Sequence, residues 1–401
     1  MIAAMTDRSR LTFAIFASGL VLSVVFGARQ SFGLFAESFA TTRQIPLSSY
    51  ALAIAVQNLL WGIAQPFAGA INDRRGPLPV IAVGALFYIA GLLIAANATT
   101  SLEVILGMGV LVGIGLAGTT QGVVLTALGK IATPANRNGV MGLAAAIGSI
   151  GMIVMVPLAQ TQLAANGIAV SLSILAALIV LAAPAGILLR SKTPPSANRP
   201  DLIGAARQAF AEPGFILLTL GFFTCGFHLA FMVTHLPGYL ALCSVQPHVA
   251  GTALALVGVF NAIGSFAVGW ISDRVPPHRV LGWLYAGRAV AIALFFFLPK
   301  TEVGTYAFAG AMGLMWLSTI PPTNGVIARF FGMHNLGGLF GVTFFSHQIG
   351  SFLGAWAGGL AVDFAGNYDS IWVASIAMGL IASALNFSIS LPDRPPAFSP
   401  A

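Results

Sequence analysis

The chain has 401 residues, of which 57% are hydrophobic and 7% charged, with a formal net charge of +7. Soluble domains carry about a quarter charged residues, so this composition excludes a water-soluble core and points to lipid as the solvent. Two cysteines, Cys225 and Cys243, are too few for a disulfide framework. On one apolar helix they would lie ~27 Å apart at 1.5 Å per residue and could not bridge.

Stretches of about 20 mainly apolar residues cross a hydrocarbon core, and twelve occur along the chain: 11–35, 50–71, 78–97, 102–127, 139–161, 168–189, 214–240, 249–271, 279–299, 303–328, 337–362 and 370–391. The first is longer than a signal-peptide core and has no clear small-residue cleavage site before Arg29, so it reads as a retained span. Turn chemistry separates the runs, as at Arg75-Gly76-Pro77, Thr133-Pro134-Ala135-Asn136 and Pro276-Pro277. Outer-membrane strands alternate in segments of about ten residues, so these longer runs predict helices. Glycines recur in the fourth span at 109–118, where they predict close helix packing rather than a dinucleotide fold.

The cations set the orientation. With a cytoplasmic N-terminus, fourteen of the eighteen Lys and Arg fall on the cytoplasmic side: Arg8, Arg10, Arg74, Arg75, Lys130, Arg137, Arg190, Lys192, Arg199, Arg207, Arg274, Arg279, Arg329 and Arg394. Only Arg43 and Lys300 face the other side, while Arg29 and Arg288 lie inside spans. Both termini are therefore expected in the cytoplasm. The positive charge is a topology signal spread over short loops, not a nucleic-acid-binding stripe. No metal-ligand cluster, Ser/His/Asp arrangement or nucleotide loop is visible, so neither an enzyme nor a cofactor is expected. A monomer in the bilayer is the expected state.

The longest polar break, 190–213, divides the spans into two sets of six and predicts a cytoplasmic linker between bundles at 1–189 and 214–401. The halves repeat one another. Gly69, Asp73 and Arg74 match Gly269, Asp273 and Arg274 at an offset of 200, and Asn136–Gly142 matches Asn335–Gly341 at 199. A six-helix repeat is the trace of a transporter built from two pseudo-symmetric bundles around a midplane site.

Twelve spans, a long central loop and Gly69-x-x-x-Asp73-Arg74-Arg75-Gly76 between the second and third spans resemble the major facilitator superfamily over essentially the whole chain. The resemblance implies an all-α membrane protein with twelve transmembrane helices in two pseudo-symmetric six-helix bundles. The stretches 27–35 and 221–240 look like the bacterial relatives of the monocarboxylate porters and the oxalate–formate antiporter. At the cytoplasmic mouth, Asp73 and Asp273 could cap a neighbouring helix N-terminus, and the adjacent arginines could pair with carboxylates or terminal carbonyls. Such contacts would latch the outward-facing state; the plainer alternative is a tight loop carrying positive-inside charges.

For the substrate, polar residues inside the spans are the candidates. Arg29 leads, because a permanent cation within a span is costly and points to function; the resemblance places it where the porters carry a first-helix Lys. It could fork onto a carboxylate, or snorkel or pair structurally. Arg288 carries the same alternatives, substrate or gating against pairing with carbonyls or with a polar residue of the eighth span. His228 and His235 share a face of the seventh span, His347 lies in the eleventh, and each could take up a proton or simply pack. Asn58, Gln121, Asn261 and Asn324 could bind a ligand or join helices. The porters' Asp and Arg of the eighth span are replaced here by Asn261 and Ser265. Gly118 stands where proton antiporters carry the Arg of Arg-x-x-Gln-Gly, and their Gly-Pro-x-x-Gly-Gly signature of the fifth span is missing. The expectation is a transporter of a small organic anion, coupled to a proton or not, with efflux of a hydrophobic or drug-like compound as the alternative.

Overall fold

The computed structural model describes residues 7–189, 202–333 and 335–392, and all regular structure among them is helical. Hydrocarbon offers backbone N–H and C=O groups no partners, and a helix satisfies both within one crossing. By internal contacts the chain divides into two units. The first comprises Met1–Pro134, Leu143–Leu202 and His334–Gly341, and the second Ala135–Gly142, Ile203–Met333 and Val342–Ala401. A short segment of each sequence half therefore counts with the other half's unit.

In the first unit α1 (Asp7–Gln30) continues through a 3-10 turn into α2 (Phe35–Thr42), followed by α3 (Leu47–Arg75) and α4 (Pro77–Asn97). Pro77 opens α4 at the position where a missing N–H costs nothing. The fourth span is built from pieces. A capping box between Thr100 and Glu103 starts α5 (Ser101–Val104), a π-helical stretch Ile105–Leu111 leads into α6 (Val112–Thr119), and Thr120, held extended, precedes α7 (Gln121–Ile131). The fifth and sixth runs form α8 (Arg137–Ala182), broken at Gly167, whose φ of 73° lies in the left-handed region that glycine enters without strain. The glycines of the fourth span pack as expected: a Cβ on Gly84 of α4 would meet Gly118 Cα at 2.8 Å and the Gly115 carbonyl at 2.9 Å.

The segment between the halves carries a short helix, α9 (Leu202–Phe210). Of the predicted linker, residues 190–201 lie outside the described residues, and with them Arg190, Lys192 and Arg199; Arg394 is outside too. The second unit continues with α10 (Pro213–Leu242), α11 (Pro247–Ser272), α12 (Pro277–Phe297), α13 (Glu302–Leu314), α14 (Ile320–Phe331), α15 (Leu336–Ala365) from Val342 onward and α16 (Asp369–Phe387). Its core holds an aromatic cluster of Phe231, Tyr239, Phe295, Phe308 and Trp372, in which Phe295 and Phe308 stack at 4.0 Å.

Eight stretches among the described residues are long and apolar enough to cross a membrane. One of them, Arg137–Leu189, has 53 residues and contains the Gly167 break, so it holds two crossings. The helix α3, the α13–α14 pair and α15 bring the crossings to twelve. Leu86, Leu181, Trp283 and Phe297 are 66–75% exposed, as outward-facing side chains solvated by lipid tails should be. Where the sequence predicts unbroken tenth and fourth spans, the chain leaves the helix at 315–319 and at Thr120. The side chains that meet these breaks belong to the candidate site.

Candidate functional site

Gly69 and Asp73 stand one turn apart on α3 and face the first turn of α15 within the first unit. A Cβ on Gly69 would collide with the Gly337 carbonyl, so glycine is what lets the helix start come this close. Asp73 then accepts the N–H groups of Gly337 at 3.2 Å and Gly338 at 2.9 Å. These are donors that a helix N-terminus leaves without intrahelical partners. Lys130 completes the site with an ion pair of 2.5 Å. The second unit repeats the arrangement. A Cβ on Gly269 would meet Gly142 Cα at 2.8 Å, and Asp273 accepts from the N–H groups of Asn138 at 2.8 Å and Gly139 at 2.7 Å.

Asn138 and Gly139 match Gly337 and Gly338 at the same offset of 199 read from the sequence. Gly-x-x-x-Asp is thus one device used twice: the glycine makes room for a helix start, and the aspartate caps it. Burial pushes the Asp273 carboxyl above the ordinary carboxylate range, against the pull of the Gly139 and Asn138 N–H groups and of Arg274. Of the motif's other residues, Arg74 is exposed, Gly76 ends α3 with its N–H on Asn72 O at 2.9 Å, and Arg274 folds back over the Trp270 ring at 3.7 Å.

Arg29, in the last turn of α1, donates through Nη2 to Asn58 Oδ1 at 2.6 Å and lies 5.1 Å from the centre of the Trp61 ring. Its Nε is buried without an acceptor among the described residues. Trp61 Nε1 is shared between Gln65 Oε1 at 3.0 Å and Thr120 Oγ1 at 3.1 Å, and Gln65 Nε2 donates to the Ala117 carbonyl at 3.2 Å. Neutral side chains of α3 therefore bind the break in the fourth span, beside the guanidinium. Gln121, the next residue, begins α7. The structure thus brings Arg29, Asn58 and the segment of Gln121 into one region of the first unit.

The corresponding break of the tenth span is met differently. Arg288 is fully buried and donates to the Met315 carbonyl through Nε at 3.1 Å and through Nη2, to the Trp316 carbonyl at 2.6 Å, and to Cys225 Sγ at 3.2 Å. Asn261 Oδ1 accepts the Leu317 N–H at 2.9 Å and the Ser265 hydroxyl at 3.3 Å. Both residues serve the backbone of residues 315–317; of the sequence alternatives for Arg288, carbonyl pairing is the one observed.

The remaining candidates are packed inside the second unit. His228 is fully buried with Nε2 on the Ser375 carbonyl at 2.8 Å. His347 lies between the rings of Phe222 and Phe344, with Nδ1 3.1 Å from Gln348 Oε1. Asn324 Nδ2 turns back onto the Ile320 carbonyl at 3.2 Å, and His235 Nε2 meets the Ala355 carbonyl at 2.7 Å. Trp61, Gln65 and Thr120 are not among the residues the sequence singles out, and Lys130 stands out there only as a topology charge. The repeat could have exposed two of them, since Trp61 and Gln65 sit at the positions of Asn261 and Ser265.

Known proteins share this architecture. The Major Facilitator Superfamily profile matches residues 11–355 and 243–400. Monocarboxylate transporter 11 of Mus musculus is 28% identical over 372 residues, spanning 88% of this chain and 81% of that protein. The fujikurins efflux protein of Gibberella fujikuroi is 26% identical over 335 residues, spanning 81% and 70%. The Escherichia coli fucose:proton symporter FucP has the same fold, with a TM-score of 0.74 over 95% of this chain and 99% of that one at 17% identity. With twelve crossings, a Gly-x-x-x-Asp cap repeated in each half and a profile match along most of its length, the chain belongs to the major facilitator superfamily: a multi-pass membrane transporter, not an enzyme.

Proposed function

We propose that the protein is a secondary transporter that moves a small organic anion of the monocarboxylate type by alternating access, with Arg29 as the group that binds the anion. The observation that carries this reading is the company Arg29 keeps. A permanent cation in a span has a neutral amide and an indole ring as its neighbours, and its buried Nε has no acceptor among the described residues. A carboxylate with two oxygens would satisfy a guanidinium in this state. The similarity to monocarboxylate transporters supports the same reading. Asn58 would hold Arg29 in position, and Gln121, at the start of a half-helix, would offer an amide to the ligand.

The two bundles are assigned to 1–189 and 214–401, joined by a cytoplasmic linker at 190–213, with both termini cytoplasmic and the protein monomeric in the cytoplasmic membrane. The caps at Asp73 and Asp273 would be the gate: contacts present in one state of the transport cycle and broken in the other. Thermal shift of the purified protein against lactate, pyruvate, formate and fucose tests the substrate class. Stabilisation by the acids that disappears in Arg29→Gln supports it, whereas stabilisation by fucose alone, or by acids in both proteins, opposes it. The similarity to the fujikurins efflux protein supports a second reading, export of a hydrophobic compound, for which no acid would stabilise the protein.

A further inference from the structure

We propose that Arg288 is a resident cation of the break in the tenth span, a positioning residue whose guanidinium fills a cation pocket at the end of α13. The Met315 carbonyl is that of the C-cap of α13, at the negative end of its dipole, and the Trp316 carbonyl follows it in the non-helical turn at 315–319. Arg288 supplies three N–H bonds to these two oxygens and a fourth to Cys225 Sγ, and it is fully sequestered. The Tyr285 ring lies 5.6 Å from its guanidinium carbon. No carboxylate meets it among the described residues, so the helix end itself serves as the counter-charge.

The first repeat shows that charge is not required for such a bend. Tyr88 stands at the position of Arg288, with an offset of 200, and its hydroxyl donates to the carbonyl of Val25, the counterpart of Cys225, at 3.1 Å. The break at Thr120 is bound there by Trp61 and Gln65. The same architecture is thus held by neutral groups in one half and by a cation in the other. Straightening the tenth span would strip the guanidinium of its acceptors inside the membrane. The turn at 315–319 therefore stays bent, and α12 and α13 move as one piece.

Arg288→Ala should open a pocket that accepts guanidinium ion, a soluble copy of the lost side chain. Hydrogen exchange of the amides at 315–319 in detergent-purified protein is the readout. The variant should exchange at least ~tenfold faster there than the wild type, and millimolar guanidinium should return the rate to within ~threefold. Urea, of the same planar shape without charge, and sodium should not. Equal rescue by urea, or no rescue by guanidinium, would overturn the proposal. Should Arg288→Ala fail to fold, Arg288→Lys and Arg288→Gln replace it: slower exchange in the lysine variant supports a cation pocket, and equal or faster exchange contradicts it. No substrate enters the test, so its outcome is independent of the anion reading.

Discussion

Asp73→Asn offers a quantitative test of the paired caps. Asp73 is 2% exposed and receives two backbone N–H groups together with Lys130, itself 17% exposed, so solvent screens these contacts only weakly. A hydrogen bond to a charged group contributes about 1.5–3 kcal/mol. An asparagine keeps one acceptor oxygen but loses the charge and leaves Lys130 without its partner. Losing the equivalent of one such bond and about a third of another gives about 2–4 kcal/mol, or roughly 30- to 1,000-fold in the latched-to-unlatched ratio. Asp273 has the two N–H groups and more distant cations, so Asp273→Asn should shift the ratio less, about 1–2 kcal/mol. Distances between spin labels at the C-terminal end of α3 and the N-terminal end of α15 would report the two populations. A shift below threefold in Asp73→Asn, or an equal shift in both variants, would refute the assignment of the charge as the latch.

Other outcomes follow from the same geometry. Gly69→Val should break the cap without touching the charge, because the side chain collides with the Gly337 carbonyl; in the spin-label assay it should match or exceed Asp73→Asn, and wild-type distances would contradict the close-approach argument. Glu103 closes the capping box at the start of α5 by accepting the N–H groups of Thr99 at 2.7 Å and Thr100 at 2.9 Å. Glu103→Ala should therefore accelerate amide exchange at 99–103, and wild-type exchange there would contradict the cap's role. Trp61→Leu removes both the ring beside Arg29 and the donor to Thr120; it should weaken acid binding at least ~threefold and loosen exchange at 119–121, and a change in neither would separate Trp61 from the site.

The crossings and the repeat were legible because charges are scarce. In a chain with 7% charged residues, each Arg or Asp cluster at the end of an apolar run stands out, and the offsets of 200 and 199 align them. The cap geometry was half legible. Asp73 and Asp273 pointed to a helix N-terminus, but only the structure names Gly337 and Asn138 as its first donors. The breaks at Thr120 and 315–319 left no trace, because a helix apolar on all sides has no periodicity to interrupt. The partners of Arg288 are backbone carbonyls, which every residue possesses and no sequence pattern marks. Trp61 reads as one more apolar residue until its indole N–H is seen on Thr120.

Arg29 as the binder of a carboxylate substrate is tested by initial uptake of labelled lactate and pyruvate into proteoliposomes. Saturable uptake by the wild type should fall in Arg29→Gln by roughly 30- to 1,000-fold, equivalent to about 2–4 kcal/mol for a lost forked, charge-assisted contact. Arg29→Lys, which keeps the charge but not the fork, should lie between the two. An inward pH gradient in the same vesicles reads out whether a proton is coupled. Equal uptake by wild type and Arg29→Gln would mean that Arg29 does not bind the anion.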